Sequence, residues 1–158
     1  MIDYDYLLHV VETQENLLQF ENFSNEMAWD IANLLVEKAK KEGKAVTIDI
    51  NRNGQQLFHF ALEGTTADND YWIQRKIKVV NRFAHSSHYI SLKLAKNNTT
   101  MEECSLLDSR EYAAHGGSFP IIIKNTGVIG TITVSGLTSA EDHQLVVDVL
   151  SDYLGIVF

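Results

Sequence analysis

Residues 46–62 read VTIDINRNGQQLFHFAL, and this stretch decides the fold. Val46, Ile48 and Ile50 alternate with Thr47 and Asp49, the period of a strand with one buried face. Asn53-Gly54 is a dipeptide that tolerates positive φ at both central positions of a tight hairpin turn. Residues 57–62 are then the returning strand. The same grammar recurs at 120–123 and 128–134, joined around 125–127 by a turn containing Asn125 and Gly127. Two hairpins impose antiparallel pairing. With helices on either side of them in sequence, the class is α+β, helices covering a mostly antiparallel sheet.

Upstream, Ser24 is a good N-cap for a helix running to about Glu42, where Gly43 supplies the stop. Its inward face is predicted to be Met27, Ile31, Leu34 and Leu35. Earlier still, Tyr6, Leu7, Val10 and Val11 fall at helical spacing, and 17–20 could form a short strand. Downstream, 70–84 reads as a helix. Residues 88–96 fit either state: Ile90, Leu92 and Leu94 alternate, while Lys93, Leu94 and Ala95 favour a helix, the preferred reading. A loop rich in acids and small residues reaches Gly116. Thr138 and Glu141 then form a capping box, opening a last helix to about Leu154. One proline, no linker and no repeat imply a single domain over 1–158.

The chain carries 13 Lys and Arg against 21 Asp and Glu, a formal charge of -8. That balance repels phosphate backbones and anionic bilayers, so neither nucleic acid nor a membrane is expected as a partner. The lone Cys104 has no internal disulfide partner. Asp3 and Asp5 stand where a signal peptide would be basic, so a cytoplasmic setting is expected.

Lys76 is the most informative residue. On a helical wheel, Trp72, Ile73, Ile77, Val79, Val80, Phe83 and Ala84 share one arc, and Lys76 lies inside it. A lysine there must snorkel out, shift its pKa down, or find a carboxylate. Asp142 is a candidate partner, because it shares an inward arc with Val146, Val149 and Tyr153. Its place in a first helical turn also suits a carboxylate that merely complements the helix dipole. A second constellation runs from His115 through Gly116, Gly117, Ser118 and Phe119 to Pro120. Paired glycines let main-chain N–H groups face an anion, or simply make the tight turn that launches a strand. His115 beside them could move protons or ligate haem iron, and His143 could carry protons or sit at a rim.

Other chemistries lack their parts. His85 and His88 are three apart but no third ligand completes a set, so no metal is expected. Acidic neighbours make Cys104 a poor thiolate nucleophile. No phosphate-binding or nucleophile-elbow motif is present.

One family pattern runs through these residues: Asp68, Asn69, Trp72, Ile73, Arg75 and Lys76, then Phe83, Ser86 and Ser87. It continues through Tyr112, Ala113, Ala114, His115, Gly116, Gly117, Ser118, Phe119, Pro120 and Ile121. It ends with Gly127, Ile129, Gly130, Val134, Ser135, Gly136, Asp142 and His143. In this the chain resembles the haem-degrading-domain family of HbpS, GlcG and the C-terminal domain of PduO, and most of all its short cytosolic branch. The resemblance implies a profilin-like α-β-α layered sandwich with a five-stranded antiparallel sheet, homo-oligomers, and haem as a cofactor of some members. One extra residue between Gly117 and Pro120 departs from the wider family, and His115 as a haem ligand is an inference from this chain's residues alone.

The expectation is a homo-oligomeric domain that binds a small anionic ligand, haem or another molecule, through Trp72, Lys76, His115, Gly116, Gly117, Phe119 and Asp142. Any acid/base catalysis would fall to His115 or His143. The rival reading is an oligomeric scaffold in which Lys76 and Asp142 form a structural pair.

Overall fold

The computed structural model describes all 158 residues. Asn53 and Gly54 take φ of 51° and 85°, the paired positive values that turn β1 (Thr47–Arg52) into β2 (Gln55–Ala61). Asn125 and Gly127, at 60° and 128°, do the same between β3 (Ser118–Ile123) and β4 (Gly127–Ser135). β1 and β4 join the hairpins, opposing Ile48 to Val134 and Ile50 to Ile132, so the sheet runs β2-β1-β4-β3 with every pair antiparallel.

Six helices surround this sheet: α1 (Tyr4–Leu17), α2 (Asn25–Lys41), α3 (Ala67–Phe83), α4 (Ser87–Lys96), α5 (Met101–Ser105) and α6 (Ser139–Leu154). Strand parity sorts the layers. Ile48, Ile50, Phe119, Ile121, Ile132 and Val134 pack against Ile31 and Leu35 of α2 and Leu145 to Leu150 of α6. The alternate residues Thr47, Asp49, Ser118, Thr131, Thr133 and Ser135 are buried and polar. α3 lies mainly on β4, and its Asn69 donates to Ser135 Oγ at 3.3 Å. A second apolar cluster ties α1, α3 and α4 together through Val11, Val79, Tyr89 and Ile90.

Four expectations need correction. The sheet has four strands, not five: α1 persists through Leu17, and Ser24 already caps α2, leaving too little chain for a strand. Only Phe20 reaches the sheet, as a single parallel bridge to Ile123. Leu34 is 38% exposed, and small residues take its place inside: Ala28, Ala32 and Ala39 bring α2 close to the sheet. α3 begins three residues early, because the Asn69 side chain accepts from the Thr66 N–H and closes the first turn. The acidic loop contains the short α5, with the Glu103 N–H capped by Thr100. Residues 88–96 are helical, with Ser86 capping the Tyr89 N–H at 3.1 Å. No helix is long and apolar enough to cross a membrane.

Candidate functional site

Where β4 ends and α6 begins, the chain leaves a cavity of about 280 Å³. α3 contributes Asp68, Asn69, Trp72 and Lys76 to its wall; Ser135, Gly136, Leu137, Ser139 and Asp142 come from the other side, with His115 and Gly116 closing it. A larger cleft of about 710 Å³ lies between α1, α6 and the C-terminus, but it gathers no buried ion pair.

Lys76 sits in the cavity wall with only 3% of its side chain exposed. Its ammonium donates to the Val134 carbonyl and to Asp142 Oδ2, each at 3.0 Å. Asp142 is equally buried, and its Oδ1 accepts from the Leu137 N–H at 2.9 Å. Burial pushes the Lys76 pKa down against the pull of Asp142, and pushes the Asp142 carboxyl up against the pull of Lys76. Both effects draw the pair toward its neutral form.

The glycines make this pair fit. Gly117 has φ of +132°, and a Cβ there would lie 2.3 Å from the Val134 carbonyl oxygen and 2.7 Å from Lys76 Nζ. A Cβ on Gly116 would lie 2.1 Å from the Ser139 carbonyl oxygen. The Gly116 N–H instead donates to Ser139 Oγ at 2.6 Å, binding the loop to the first turn of α6.

His115 stands at the mouth, its ring edge-on to Trp72 at 5.0 Å between centroids. Packing on its inner side, then the charges of Lys76 and Arg75, hold its pKa below the usual histidine range. The Arg75 guanidinium covers the Trp72 ring at 4.6 Å.

Of the expected site residues, Trp72, Lys76, His115, Gly116 and Asp142 meet around this one cavity. Three do not. Phe119 is fully enclosed in the apolar core, because β3 starts at Ser118 and parity points Phe119 the same way as Ile121. Gly117 lies behind the wall, where it makes room for the lysine rather than presenting an amide. His143 is 3% exposed, facing Gln14 and His88 in the helical layer; its pKa is lowered to about 3 by burial and by His88. Burial thus favours its neutral ring, and its place in the helical layer keeps it out of the cavity lining.

The wall also includes Asn69, Ser135 and Ser139, which sequence patterns did not single out as site residues. Asn69 was signalled by a Thr66-x-x-Asn69 cap, and Ser139 by its position directly after the Thr138 cap. Asn69 Nδ2 reaches Ser135 Oγ, and Ser139 Oγ accepts from Gly116, so each hydroxyl keeps its proton free to donate. Both Asp142 oxygens are already engaged, so the inner wall presents mainly donors.

Comparison with known proteins places this arrangement. The family model described as "Haem degrading protein HbpS-like" matches residues 23–151. A UPF0303 protein of Streptomyces coelicolor is 49% identical over 92% of this chain and 92% of its own length. The crystal structure of the Ybr137w protein superposes with a TM-score of 0.87 at 34% identity, covering 98% of this chain and 97% of that one. The crystal structure of a haem complex of PduOC shares the fold, with a TM-score of 0.69 at 13% identity over 82% of this chain and 93% of its own. By the span of the family match and the identity of its relatives, the chain belongs to the HbpS-like haem-degrading family.

Proposed function

We propose that the Lys76 cavity binds a small carboxylate and that the chain works as a homo-oligomer. The observation carrying the first part is the surplus of donors. An ammonium has three N–H groups, and Lys76 spends two, on Val134 and Asp142. The third, with the Ser135 and Ser139 hydroxyls, is left for a ligand in the cavity that all three line. Asp68 is the one carboxylate without such a role, and it lies exposed at the rim.

The family description and the PduOC complex bring haem into consideration, and His115 at the cavity mouth would be its ligand. The cavity fits it poorly. At about 280 Å³ it falls just under the range of roughly 300–1,000 Å³ that encloses drug-sized ligands, and a tetrapyrrole is large among those. Of its lining, only Trp72 and Leu137 offer apolar surface to a flat macrocycle. Calorimetric titration with pyruvate is expected to give saturable binding, weakened about 5-fold by Ser139→Ala through loss of one hydrogen bond. A parallel haemin titration should leave the Soret band as free haemin gives it. A saturable shifted band that His115→Ala abolishes would replace the carboxylate reading with haem.

Self-association is supported by the sheet edges. The Phe20 bridge covers part of the β3 edge, whereas β2 has no neighbour on its outer side. An open edge is a template for another chain. Beside it, Trp29 is 58% exposed and Phe60 44%. Native mass spectrometry should find an assembly that Trp29→Glu reduces to monomers; a monomeric parent chain would remove this part of the proposal and the scaffold reading with it.

A further inference from the structure

We infer that Lys76 captures a 2-oxo acid as a covalent imine, an activity that rests on the carboxylate-binding reading of the same cavity. Three arrangements carry it. The Lys76 amine lies in the cavity wall, shielded from bulk water, and Asp142 Oδ2 stands 3.0 Å away to take its proton. Gly117 lacks the Cβ that would crowd Nζ at 2.7 Å, so the backbone is shaped around the amine. Ser135, Ser139 and Asn69 line the same cavity and can hold a carboxylate there while the neighbouring oxo carbon meets the amine. At about 30 Å³ per water, a cavity of about 280 Å³ holds roughly nine waters' worth of ligand, enough for a short oxo acid.

The chemistry balances within the site. The ammonium passes one proton to Asp142, and the freed Nζ lone pair adds to the oxo carbon. A C–N bond forms and the carbonyl π pair moves to oxygen, which takes a proton from the nitrogen. Asp142 returns its proton to that hydroxyl, the C–O bond breaks, and water leaves. The product is a protonated imine beside a carboxylate, with the charge of the starting pair and no oxidant or reductant. Desolvation that favours a neutral amine is the usual way a lysine becomes a nucleophile. Burial acts on Lys76 in that direction, and on Asp142 so as to favour its proton-holding form.

The test is reductive trapping of the full chain. Pyruvate and sodium cyanoborohydride are added near neutral pH, and the product is followed by intact mass and peptide mapping. The expected result is one adduct per chain, located at Lys76, while solvent-exposed lysines such as Lys78 and Lys96 stay unmodified. Asp142→Asn should slow trapping at least 10-fold. If that variant fails to fold, slowing of the parent reaction by excess acetate still shows that trapping runs through the carboxylate-binding cavity. Saturable pyruvate binding without a Lys76 adduct, or adducts confined to exposed lysines, would overturn the imine and leave the carboxylate site standing. Neither binding nor adduct would overturn both.

Discussion

Asp142→Ala is expected to destabilise the chain by about 3–5 kcal/mol, the cost of leaving one member of a buried ion pair alone. The partner left behind is Lys76, in a site with almost no access to water. Asp142 also accepts from the Leu137 N–H at 2.9 Å, so its removal loosens the turn between β4 and α6 as well. Lys76→Met should cost less. The abandoned carboxyl keeps its bond to Leu137, and burial already favours its protonated form. The double variant Lys76→Met/Asp142→Ala removes both charges at once, so neither is left buried without its partner. It should therefore be more stable than the sum of the single losses predicts. Urea unfolding of the four proteins forms the cycle. Additive losses, or a loss below about 1 kcal/mol for Asp142→Ala, would show that the Lys76–Asp142 pair does not hold this part of the fold together.

The same residues show how far the sequence reached. Both hairpins were legible because Asn53-Gly54 and the turn with Asn125 and Gly127 demand positive φ, a local requirement that no packing has to supply. Lys76 was legible because helical periodicity is strict enough to place a charge on an apolar face. Strand parity was less secure. The chain between Gly117 and Pro120 could launch β3 from several points, and starting it at Ser118 turned Phe119 from the expected ligand contact into core. The fifth strand was lost to competition: a strong α1 and the Ser24 cap each claimed residues that a strand needed. His143 was misread for a tertiary reason. Next to Asp142 it looks like a rim residue, and only the packing of α1 and α4 over α6 encloses it.

That enclosure makes His143 a source of acid sensitivity. Its Nε2 meets Gln14 Oε1 at 2.7 Å, so the proton of the neutral ring sits on Nε2, and the buried Nδ1 has no partner. A proton added to Nδ1 would be an unpaired charge beside His88, whose ring centroid is 4.6 Å away. The folded pKa, lowered to about 3 from a usual 6.5, means that between these values the unfolded chain binds a proton the folded chain refuses. Stability from this group is thus fully present above pH 6.5 and is lost as pH falls toward 3, by up to about 5 kcal/mol. His88, also lowered by burial, acts with the same sign. Asp142, raised by burial, acts in the opposite sense. So does His59, raised by Asp49 and Asp70 against its own burial, though its partial exposure weakens the effect. The informative quantity is therefore a difference. His143→Phe should be less stable than the parent at pH 7.5, having lost the Gln14 bond, and should gain on it steadily below pH 6.5. Parallel unfolding curves across that range would mean that the ring takes up its proton in the folded state. The helices over it would then have to open locally to admit water, which hydrogen exchange at Gln14 and His88 would register.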